Sequence, residues 1–285
     1  MVPWGPLHRR FWDFPRYNPN PEDIAALHAT INEVKRTGAD LGLTFDGDGD
    51  RIGVIDDQGE EIFSDKVGLL MARELSKEYP GSRFVVDVKA TGLFGSDPIL
   101  HENRAEVEYW ITGHSYIKRR INETQALAGF EKSGHFFFNP PLGRGYDDAL
   151  VSALQILRMM ETSDESLSSL RKKLQQTWQS PTMSPYCDDD RKYRVVDSIG
   201  KAYADAQKNG DWICGLPIAD LITVNGIRVV LTDGTWGLVR ASSNKPSLVV
   251  VTESPTSEAM MREMFLDIDR RLQAVGGVGR YDQRL

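Results

Sequence analysis

Long apolar runs are missing from this 285-residue sequence, and so is an excess of basic residues. No stretch approaches the ~20 apolar residues of a membrane span, and the N-terminal MVPWGPLHRRFWDF has no apolar core of signal-peptide length, so we expect a cytoplasmic protein. The formal net charge of -7 argues against a general nucleic-acid-binding protein, because such proteins neutralise phosphates with lysine and arginine. The net charge does not exclude a local basic pocket that binds one small phosphate.

Cysteine is scarce as well. Cys187 and Cys214 are too few and too far apart for a zinc knuckle or a disulfide framework, so we expect two buried or inert thiols. The length of the chain and its hydrophobic content of 40% predict a globular protein of about two or three domains.

The first part of the chain alternates helices and strands. A helix is predicted from Asn20 to Gly38, with Asn20 as N-cap, Pro21 at the first helical position and acidic residues in its first turn. Strands are predicted at LGLTF, RIGVID, EEIF, RFVVDV and EVEYWI, and helices from Ser64 to Tyr79 and from His114 to about Ala126. This alternation indicates a layered α/β fold with parallel strands.

A hairpin, a long helix, a linker and then a separate unit are predicted in the second half of the chain. LAGFEK and HFFFN are predicted as strands around a tight turn at Ser133-Gly134, followed by a helix from Asp147 to Glu161. The stretch QSPTMSPYCDDDRK, with its prolines and like charges, predicts a linker. Beyond it, a helix, the strands NGIRVVL, WGLVRAS and SLVVVTES, and a last helix from Thr256 to Val275 predict a separate α+β unit of ~100 residues.

The loop between LGLTF and RIGVID concentrates negative charge. Asp46, Asp48 and Asp50 alternate with glycines. At this spacing three carboxylates can point to one side, while the glycines let the backbone curl around a shared point. So much like charge requires a cation, and oxygen ligands alone favour Mg2+. A solvated acidic turn is the alternative.

Two familiar loops resemble this one only in part. As an EF-hand loop it fails because Arg51 occupies the position of the sharp-turn glycine and because strands, not helices, flank it. As a dinucleotide-binding loop it fails because Ile52 stands at the third glycine position and the interposed aspartates would repel a pyrophosphate.

Three further stretches place polar groups at the ends of predicted elements. In TGHS, Gly113 and His114 open a helix whose backbone N–H groups favour an anion or a hydroxyl. In GFEKSGH, Glu131, Ser133 and His135 alternate along an extended segment and can share one face. The stretch VRASSNKP offers donors suited to a phosphate, or else forms a solvated basic turn. Its donors are Arg240, Ser242, Ser243, Asn244 and Lys245.

The stretches FDGDGDR, TGHSYIK, GFEKSGH and VRASSNKP, in this order, resemble the motifs of the α-D-phosphohexomutases, the phosphomannomutase/phosphoglucomutase family. The resemblance runs from about Phe14 to the C-terminus. Members of this family have four domains around one cleft and isomerise hexose 1- and 6-phosphates through a bisphosphorylated sugar. A phosphoserine in the first domain donates and recovers the phosphoryl group. The resemblance implies Mg2+ as cofactor and a mannose or glucose phosphate as the molecule that is bound.

The same resemblance implies a role for each residue of the metal loop. Asp46, Asp48 and Asp50 would hold Mg2+, whose remaining ligand is a phosphate oxygen of the phosphoserine. Arg51 would help to hold phosphate in line, unless it only pairs with one of the aspartates.

Roles are also implied for the other motifs. Gly113 and His114 would contact the sugar, and Lys89 in DVKAT would meet the ligand from a neighbouring strand end, unless it is a solvated surface charge. Glu131 and Ser133 would bind O3 and O4 of the sugar. His135 is the candidate for proton transfer, with a structural histidine as the alternative. Arg240 and the loop from Ser242 to Lys245 would clamp the phosphate that is not reacting, although common members carry Ser-Asn/Gly-Thr in this loop.

One part of the family pattern has no counterpart in this sequence. No serine lies in an Ala-Ser-His-Asn-Pro context, and FPRYNPNP resembles a loop partway through the second domain. We therefore expect the C-terminal part of a mutase: residues 1–62 as a remnant of domain II with the metal loop, 63–184 as the sugar-binding domain III, and 185–285 as the phosphate-binding domain IV. A truncated gene, a misassigned start and a natural fragment are open explanations, and a missing N-terminal half is the expected partner.

The implied fold class is α/β, with mixed-sheet α/β/α layered domains before a C-terminal α+β domain. Two other functions stay open. Without a phosphoserine, the chain would be a non-catalytic hexose-phosphate-binding protein or a degenerate mutase. A Mg2+-dependent phosphatase that uses the three aspartates would release free phosphate, but it would leave the other three motifs unexplained.

Overall fold

The computed structural model describes residues 20–21, 24–283 and 285. Residues 1–19 and the acidic residues predicted for the first turn of the first helix, Glu22 and Asp23, lie outside the described residues. From Ile24 onwards three units follow one another, and each is built on its own sheet.

The first unit is a helix on a small antiparallel sheet. Helix α1 (Ile24–Thr37) precedes strands β1 (Leu41–Phe45), β2 (Ile52–Asp56) and β3 (Glu61–Ile62), which lie in the order β1-β2-β3. Leu27 and Val34 of α1 are buried with Ile55 of β2. Because Phe45 pairs with Ile52, the aspartate loop closes a hairpin at the end of this sheet.

The second unit is a mixed sheet with helices on both faces. Its elements in chain order are α2 (Ser64–Glu78), β4 (Arg83–Asp87), α3 (Leu93–Ser96), α4 (Pro98–Glu102), β5 (Glu106–Trp110), α5 (His114–Glu123), β6 (Ala128–Phe130), β7 (Phe136–Phe138), α6 (Ala149–Ser163) and α7 (Leu167–Lys172). Strand β4 lies between β5 and β6 and runs parallel to both, and β7 pairs antiparallel with β6. Phe84 and Val86 of β4 are buried with α2, whereas Val85 between them is buried with Ile117 and Ile121 of α5.

The third unit is a six-stranded antiparallel sheet with two long helices. Its elements are β8 (Trp178–Gln179), α8 (Lys192–Asn209), β9 (Trp212–Ile213), β10 (Leu216–Ile222), β11 (Ile227–Leu231), β12 (Trp236–Ala241), β13 (Leu248–Ser254) and α9 (Glu258–Val275). The strands lie in the order β8-β13-β12-β11-β10-β9. This arrangement confirms the predicted fold class, with α/β layers followed by an α+β unit.

Three details of the sequence prediction are wrong. The strands LGLTF, RIGVID and EEIF do not belong to a parallel layer, since β1, β2 and β3 pair antiparallel. The stretch predicted as a linker lies along β13: Met183 exchanges backbone hydrogen bonds with Val250, and Met183 and Cys187 are fully buried. The prolines and charges of this stretch are typical of a linker, but here they lie in a segment at the edge of the sheet. Strands β9 and β10 were not predicted, because Pro217 and a bulge between Ile218 and Asp220 break the period-two pattern of β10.

Among the described helices, none combines the length and the hydropathy that crossing a lipid bilayer requires.

Candidate active site

Three carboxylates converge in the loop between β1 and β2. Asp46, Asp48 and Asp50 each offer an oxygen atom, and these atoms lie within 4.8 Å of one another. The loop can curl this tightly because Gly49 adopts a φ of +77°, a conformation that glycine adopts without strain. Oxygen atoms at this density are the ligands that Mg2+ prefers, so the donor set fits the ion. Burial, together with the neighbouring Asp46, raises the pKa of Asp50.

Asp46 organises the loop. Its Oδ1 accepts hydrogen bonds from the backbone N–H groups of Gly49, Asp50 and Arg51 at 3.1, 3.2 and 3.1 Å. Its Oδ2 accepts a hydrogen bond from Arg51 Nε at 2.7 Å, so the pairing left open by the sequence is present. Burial by itself would raise the pKa of Asp46, but the bonds from Arg51 outweigh it and lower the pKa. Asp46 is therefore an ionised anchor of the loop as well as a candidate ligand.

Arg51 is held from two sides. Besides its bond to Asp46, its Nη1 donates a hydrogen bond of 2.9 Å to Asn20 Oδ1. Asn20 had been predicted as a helix N-cap, and its side chain thus reaches the metal loop. Arg51 directly precedes strand β2, and its guanidinium is held by the side chains of Asp46 and Asn20.

The β6–β7 hairpin carries the second cluster. Glu131 N donates to His135 O at 3.0 Å, and Gly134 N donates to Glu131 O at 3.1 Å, which closes the turn predicted at Ser133-Gly134. Gly134 adopts a φ of +96°, and a Cβ there would lie 2.7 Å from the carbonyl oxygen of Ile52. Only glycine fits this turn, because the strand of the metal loop approaches it so closely.

The metal loop and this hairpin are joined through their backbones. Arg51 and His135 form an antiparallel bridge, and Ile52 N donates to Gly134 O at 3.1 Å. Side chains extend the connection, since His135 Nε2 lies 3.4 Å from Asp50 Oδ2. The structure thus brings together two motifs that are about 80 residues apart in the chain.

His135 lies among carboxylates. Its Nδ1 lies 2.9 Å from Ser133 Oγ and 3.2 Å from Oε2 of the buried Glu131. Burial by itself would lower the pKa of His135, but Glu131, Asp50 and Asp147 together raise it above its ordinary value. The imidazole therefore keeps its proton to a higher pH than a free one, which suits the exchange of a proton with a hydroxyl group near neutral pH.

The TGHS stretch reaches the same cluster. Gly113 N donates to Glu131 Oε1 at 2.6 Å, and Gly113 adopts a φ of +127°. His114 is the exposed first residue of α5, and its Nδ1 lies 3.1 Å from Asp147 Oδ2. Its ring stacks on that of His135 with centroids 5.7 Å apart.

Lys89 is not a solvated surface charge. It is 8% exposed, and its Nζ lies 3.5 Å from Oδ2 of the fully buried Asp87. Asp87 Oδ1 also accepts a hydrogen bond from Thr112 Oγ1 at 2.6 Å, so Lys89 is connected to the TGHS stretch through one carboxylate. Burial by itself would raise the pKa of Asp87, but Lys89 and these bonds lower it.

The C-terminal loop is supported from within the third unit. Arg240, at the end of β12, is 8% exposed; burial lowers its pKa, and the charges of Asp87 and Glu131 raise it. Those two carboxylates belong to the second unit, so the charge of Arg240 interacts with charges across the contact between the two units. The hydrogen bonds described for the following loop lie inside the third unit: Lys192 Nζ donates to Ser242 O at 2.6 Å and to Lys245 O at 3.2 Å. Within this loop, Asn244 N donates to Ser242 Oγ at 3.4 Å.

Sequence reasoning missed three residues of this region: Asp87, Asp147 and Lys192. Asp147 and Asp148 are adjacent at the start of α6, and Asp148 is the N-cap, with Oδ1 accepting from Leu150 N and Val151 N. A helix start needs only one such cap, so capping explains Asp148 but not Asp147. The unexplained aspartate could have indicated a site residue. Asp87 and Lys192 lie within a strand and a helix and carried no comparable signal.

Family models match the chain in three consecutive places. They are described as phosphoglucomutase/phosphomannomutase alpha/beta/alpha domain II at residues 8–59, alpha/beta/alpha domain III at 63–178, and C-terminal domain at 187–270.

Named relatives and solved structures agree with these matches. A protein of Pseudomonas putida named phosphomannomutase/phosphoglucomutase is 33% identical over 250 residues, which cover 88% of this chain and 51% of the relative. The crystal structure of a phosphoglucomutase/phosphomannomutase family protein from Burkholderia thailandensis has a TM-score of 0.81 at 30% identity and covers 95% of this chain and 54% of that chain. The chain therefore spans about half the length of these relatives.

A more distant structure shares the fold. N-acetylphosphoglucosamine mutase of Aspergillus fumigatus, in complex with GlcNAc-6P and magnesium, has a TM-score of 0.53 at 13% identity and covers 82% of this chain and 48% of that chain.

Proposed function

This chain belongs to the phosphoglucomutase/phosphomannomutase family, and we propose on that premise that it carries the metal-binding, sugar-binding and phosphate-binding parts of a phosphohexomutase. The proposed reaction interconverts hexose 1-phosphate and hexose 6-phosphate through a bisphosphorylated sugar. The observation that carries the proposal is the backbone bridge between Arg51 and His135, which holds the metal loop against the sugar-binding hairpin. An isolated metal site or an isolated sugar site would not need this contact.

Asp46, Asp48 and Asp50 are the proposed magnesium ligands. Three converging carboxylates fit a hard divalent cation, and the distant Aspergillus fumigatus structure contains magnesium. Bound there, Mg2+ would neutralise part of the charge on a transferred phosphoryl group. Arg51, fixed by Asp46 and Asn20, is proposed to contact an oxygen of the same phosphate.

The hairpin is proposed to grip the sugar. Glu131 and Ser133 would bind neighbouring hydroxyl groups, with Gly113 and His114 beside them. His135 would accept the proton of the attacking hydroxyl in one direction and return it in the other, since Glu131 and Ser133 hold its Nδ1 and leave its Nε2 on the side of Asp50.

Cationic groups are proposed to bind the phosphate that is not reacting. Arg240 is the leading candidate, because it is buried and its charge interacts with charges of the second unit. Lys89 would meet the ligand from the end of β4, and the loop from Ser242 to Lys245 would add hydroxyl, amide and ammonium donors.

A second candidate function is binding of hexose phosphate without turnover. It is favoured by one observation: Glu131, held by Gly113 N and beside His135, can bind sugar hydroxyl groups without any covalent step. A phosphoryl donor is indispensable for turnover, whereas binding requires only the contacts described above.

The two candidates differ in one assay. Purified chain with Mg2+, glucose 1-phosphate and a trace of glucose 1,6-bisphosphate is followed for glucose 6-phosphate, and mannose 1-phosphate is tested in parallel. Formation of the 6-phosphate supports the mutase. Binding of glucose 6-phosphate in calorimetry without conversion supports the binding protein, and release of inorganic phosphate alone would contradict both and favour a phosphatase.

Glu131→Gln tests the sugar-binding hairpin. We expect affinity for glucose 6-phosphate to fall about tenfold or more, because the substitution removes the negative charge and replaces one accepting oxygen by an NH2 donor, while Mg2+ affinity stays unchanged. Glu102→Gln on the surface of α4 is the matched control and should change neither value. Equal sugar affinity in both variants would show that Glu131 does not bind the sugar.

A further inference from the structure

A second group of metal-binding atoms lies beside the three aspartates. Asp50, His135 and Asp147 each offer one ligand atom, and these atoms lie within 4.8 Å of one another. His114 adjoins them, with Nδ1 at 3.1 Å from Asp147 Oδ2 and its ring stacked on His135. The group therefore combines two imidazoles with two carboxylates.

This donor set differs in kind from that of the metal loop. Mg2+ prefers oxygen ligands alone, whereas Zn2+ and similar borderline cations are bound by imidazole nitrogen together with carboxylate oxygen. Asp48 belongs only to the group of three aspartates, and His135 and Asp147 belong only to the second group. Asp50 belongs to both.

The orientation of His135 points independently to a cation. Its Nδ1 faces Ser133 Oγ at 2.9 Å and Oε2 of Glu131 at 3.2 Å, and Glu131 is only 1% exposed. Its Nε2 faces Asp50 at 3.4 Å. Histidine ligands of metal ions are commonly oriented in this way, with one ring nitrogen fixed by a carboxylate and the other directed at the ion.

The segments that carry the group are tied together by backbone hydrogen bonds. Ala149 N donates to Gly49 O at 3.0 Å, which joins the start of α6 to the metal loop, and the bridge between Arg51 and His135 joins the hairpin to the same loop. Lys118 is a cation that faces the group, with Nζ at 3.5 Å from Asp147 Oδ1. Its side chain is 38% exposed, so it can withdraw into solvent when another cation binds.

We propose that Asp50, His135 and Asp147 form a binding site for Zn2+, with His114 as the neighbouring fourth candidate ligand. Because Asp50 is shared with the group of three aspartates, occupation of this site and binding of Mg2+ oppose each other. The site goes beyond the proposed mutase function and needs no turnover to be detected.

Calorimetric titration of the full chain with Zn2+ alone and with Mg2+ alone tests the proposal on three variants. Asp147→Asn should lower Zn2+ affinity about tenfold or more and leave Mg2+ affinity unchanged, and Asp48→Asn should do the reverse. Asp50→Asn should weaken both. In the unmodified chain, prior saturation with Mg2+ should lower the apparent Zn2+ affinity.

Co2+ absorption supplies a second measurement, because nitrogen ligands change its visible spectrum. His135→Gln should abolish the change that Co2+ produces in the unmodified chain, and circular dichroism shows whether each variant is folded. Absence of Zn2+ binding would overturn the proposal. So would a loss of Zn2+ affinity in Asp48→Asn with none in Asp147→Asn or His135→Gln, since Zn2+ would then occupy the three aspartates. Sugar binding and turnover are measured with Mg2+ only, so their failure is a separate result.

Discussion

At the level of single residues, the three aspartates of the metal loop differ in how much each contributes to the shape of the loop. Asp46 accepts three backbone hydrogen bonds and pairs with Arg51, so it shapes the loop. Asp50 lies between Asp46 and His135. Asp48 is exposed and is the member whose side chain is least involved in holding the loop. A substitution at Asp48 therefore tests metal binding with the least effect on folding.

We predict that Asp48→Asn lowers Mg2+ affinity about tenfold or more, because a neutral amide replaces one of three charged oxygen ligands. The free energy of unfolding without metal should stay within about 0.5 kcal/mol of the parent, as is usual for exposed positions. Calorimetry and urea denaturation measure the two quantities. Asp40→Asn, an exposed aspartate just before β1, is the matched control and should leave Mg2+ binding unchanged. Equal Mg2+ affinity in the two variants would show that the metal assignment is wrong.

At the scale of elements, the turn of the β6–β7 hairpin requires glycine at position 134 because strand β2 lies against it. The sequence indicates a tight turn at Ser133-Gly134, and any small turn residue would satisfy that pattern. The structure adds the backbone of β2: Ile52 N donates to Gly134 O at 3.1 Å, and a Cβ at Gly134 would lie 2.7 Å from Ile52 O. The turn is therefore also the contact between two units, which a local pattern cannot show.

We predict that Gly134→Ala lowers the free energy of unfolding by about 1–3 kcal/mol, because alanine is strained at a φ of +96° and its Cβ would meet Ile52 O. Sugar-phosphate affinity should fall with it, since the bridge to the metal loop is disturbed. Urea denaturation and calorimetry measure both effects.

Gly95→Ala is the control for this substitution. Gly95 lies in helix α3, where a Cβ would meet nothing within 4 Å, and alanine there should stabilise the protein by about 0.5–1 kcal/mol. Wild-type stability in Gly134→Ala would contradict the close approach of β2.

At the scale of the whole molecule, a buried carboxylate joins the second and third units. Glu253 of β13 is 1% exposed; its Oε1 accepts from Lys66 Nζ at 3.1 Å and from Thr177 Oγ1 at 2.7 Å. Its Oε2 accepts from Gly92 N at 2.8 Å and from Trp236 Nε1 at 2.7 Å. Burial by itself would raise the pKa of Glu253, but Lys66 and these donors lower it to about 2.

A buried arginine reinforces the same contact. Arg228 of β11 is 1% exposed, and its Nη1 donates to Val88 O at 2.7 Å and to Ala90 O at 2.8 Å in the second unit. Its guanidinium lies over the rings of Trp236 and Tyr109 at 3.7 and 4.2 Å. The third unit is thus fixed to the second by two oppositely charged side chains, each of which forms hydrogen bonds across the contact.

The pKa of Glu253 predicts how stability depends on pH. The pKa is depressed in the folded state, so the stabilisation is present above the ordinary value of 4.5 and is lost as pH falls towards about 2. The free energy of unfolding that is lost in this way is at most about 3 kcal/mol. Glu253→Gln should lower the free energy of unfolding at pH 7, and its deficit relative to the parent should shrink below pH 4.5. Urea denaturation across this range gives the difference.

Glu258→Gln on the exposed start of α9 controls for the loss of a carboxylate as such. Its pH profile should follow that of the parent, because an exposed ion pair with Arg262 contributes little. A Glu253→Gln deficit that stays constant from pH 7 to pH 3 would refute the ionic role of Glu253.

The sequence by itself determined the element types, the α/β-then-α+β order and the four motifs, because helical periodicity, alternation and turn residues are written within a few neighbouring positions. It could not show that the stretch read as a linker pairs with β13, or that β10 is a strand, because neighbouring strands outweighed local composition there. Only the tertiary structure decided that Asp147 and His114 meet Asp50 and His135, and that Lys66 pairs with Glu253, 187 residues away. Such contacts depend on how separate units pack, and no local pattern records that packing.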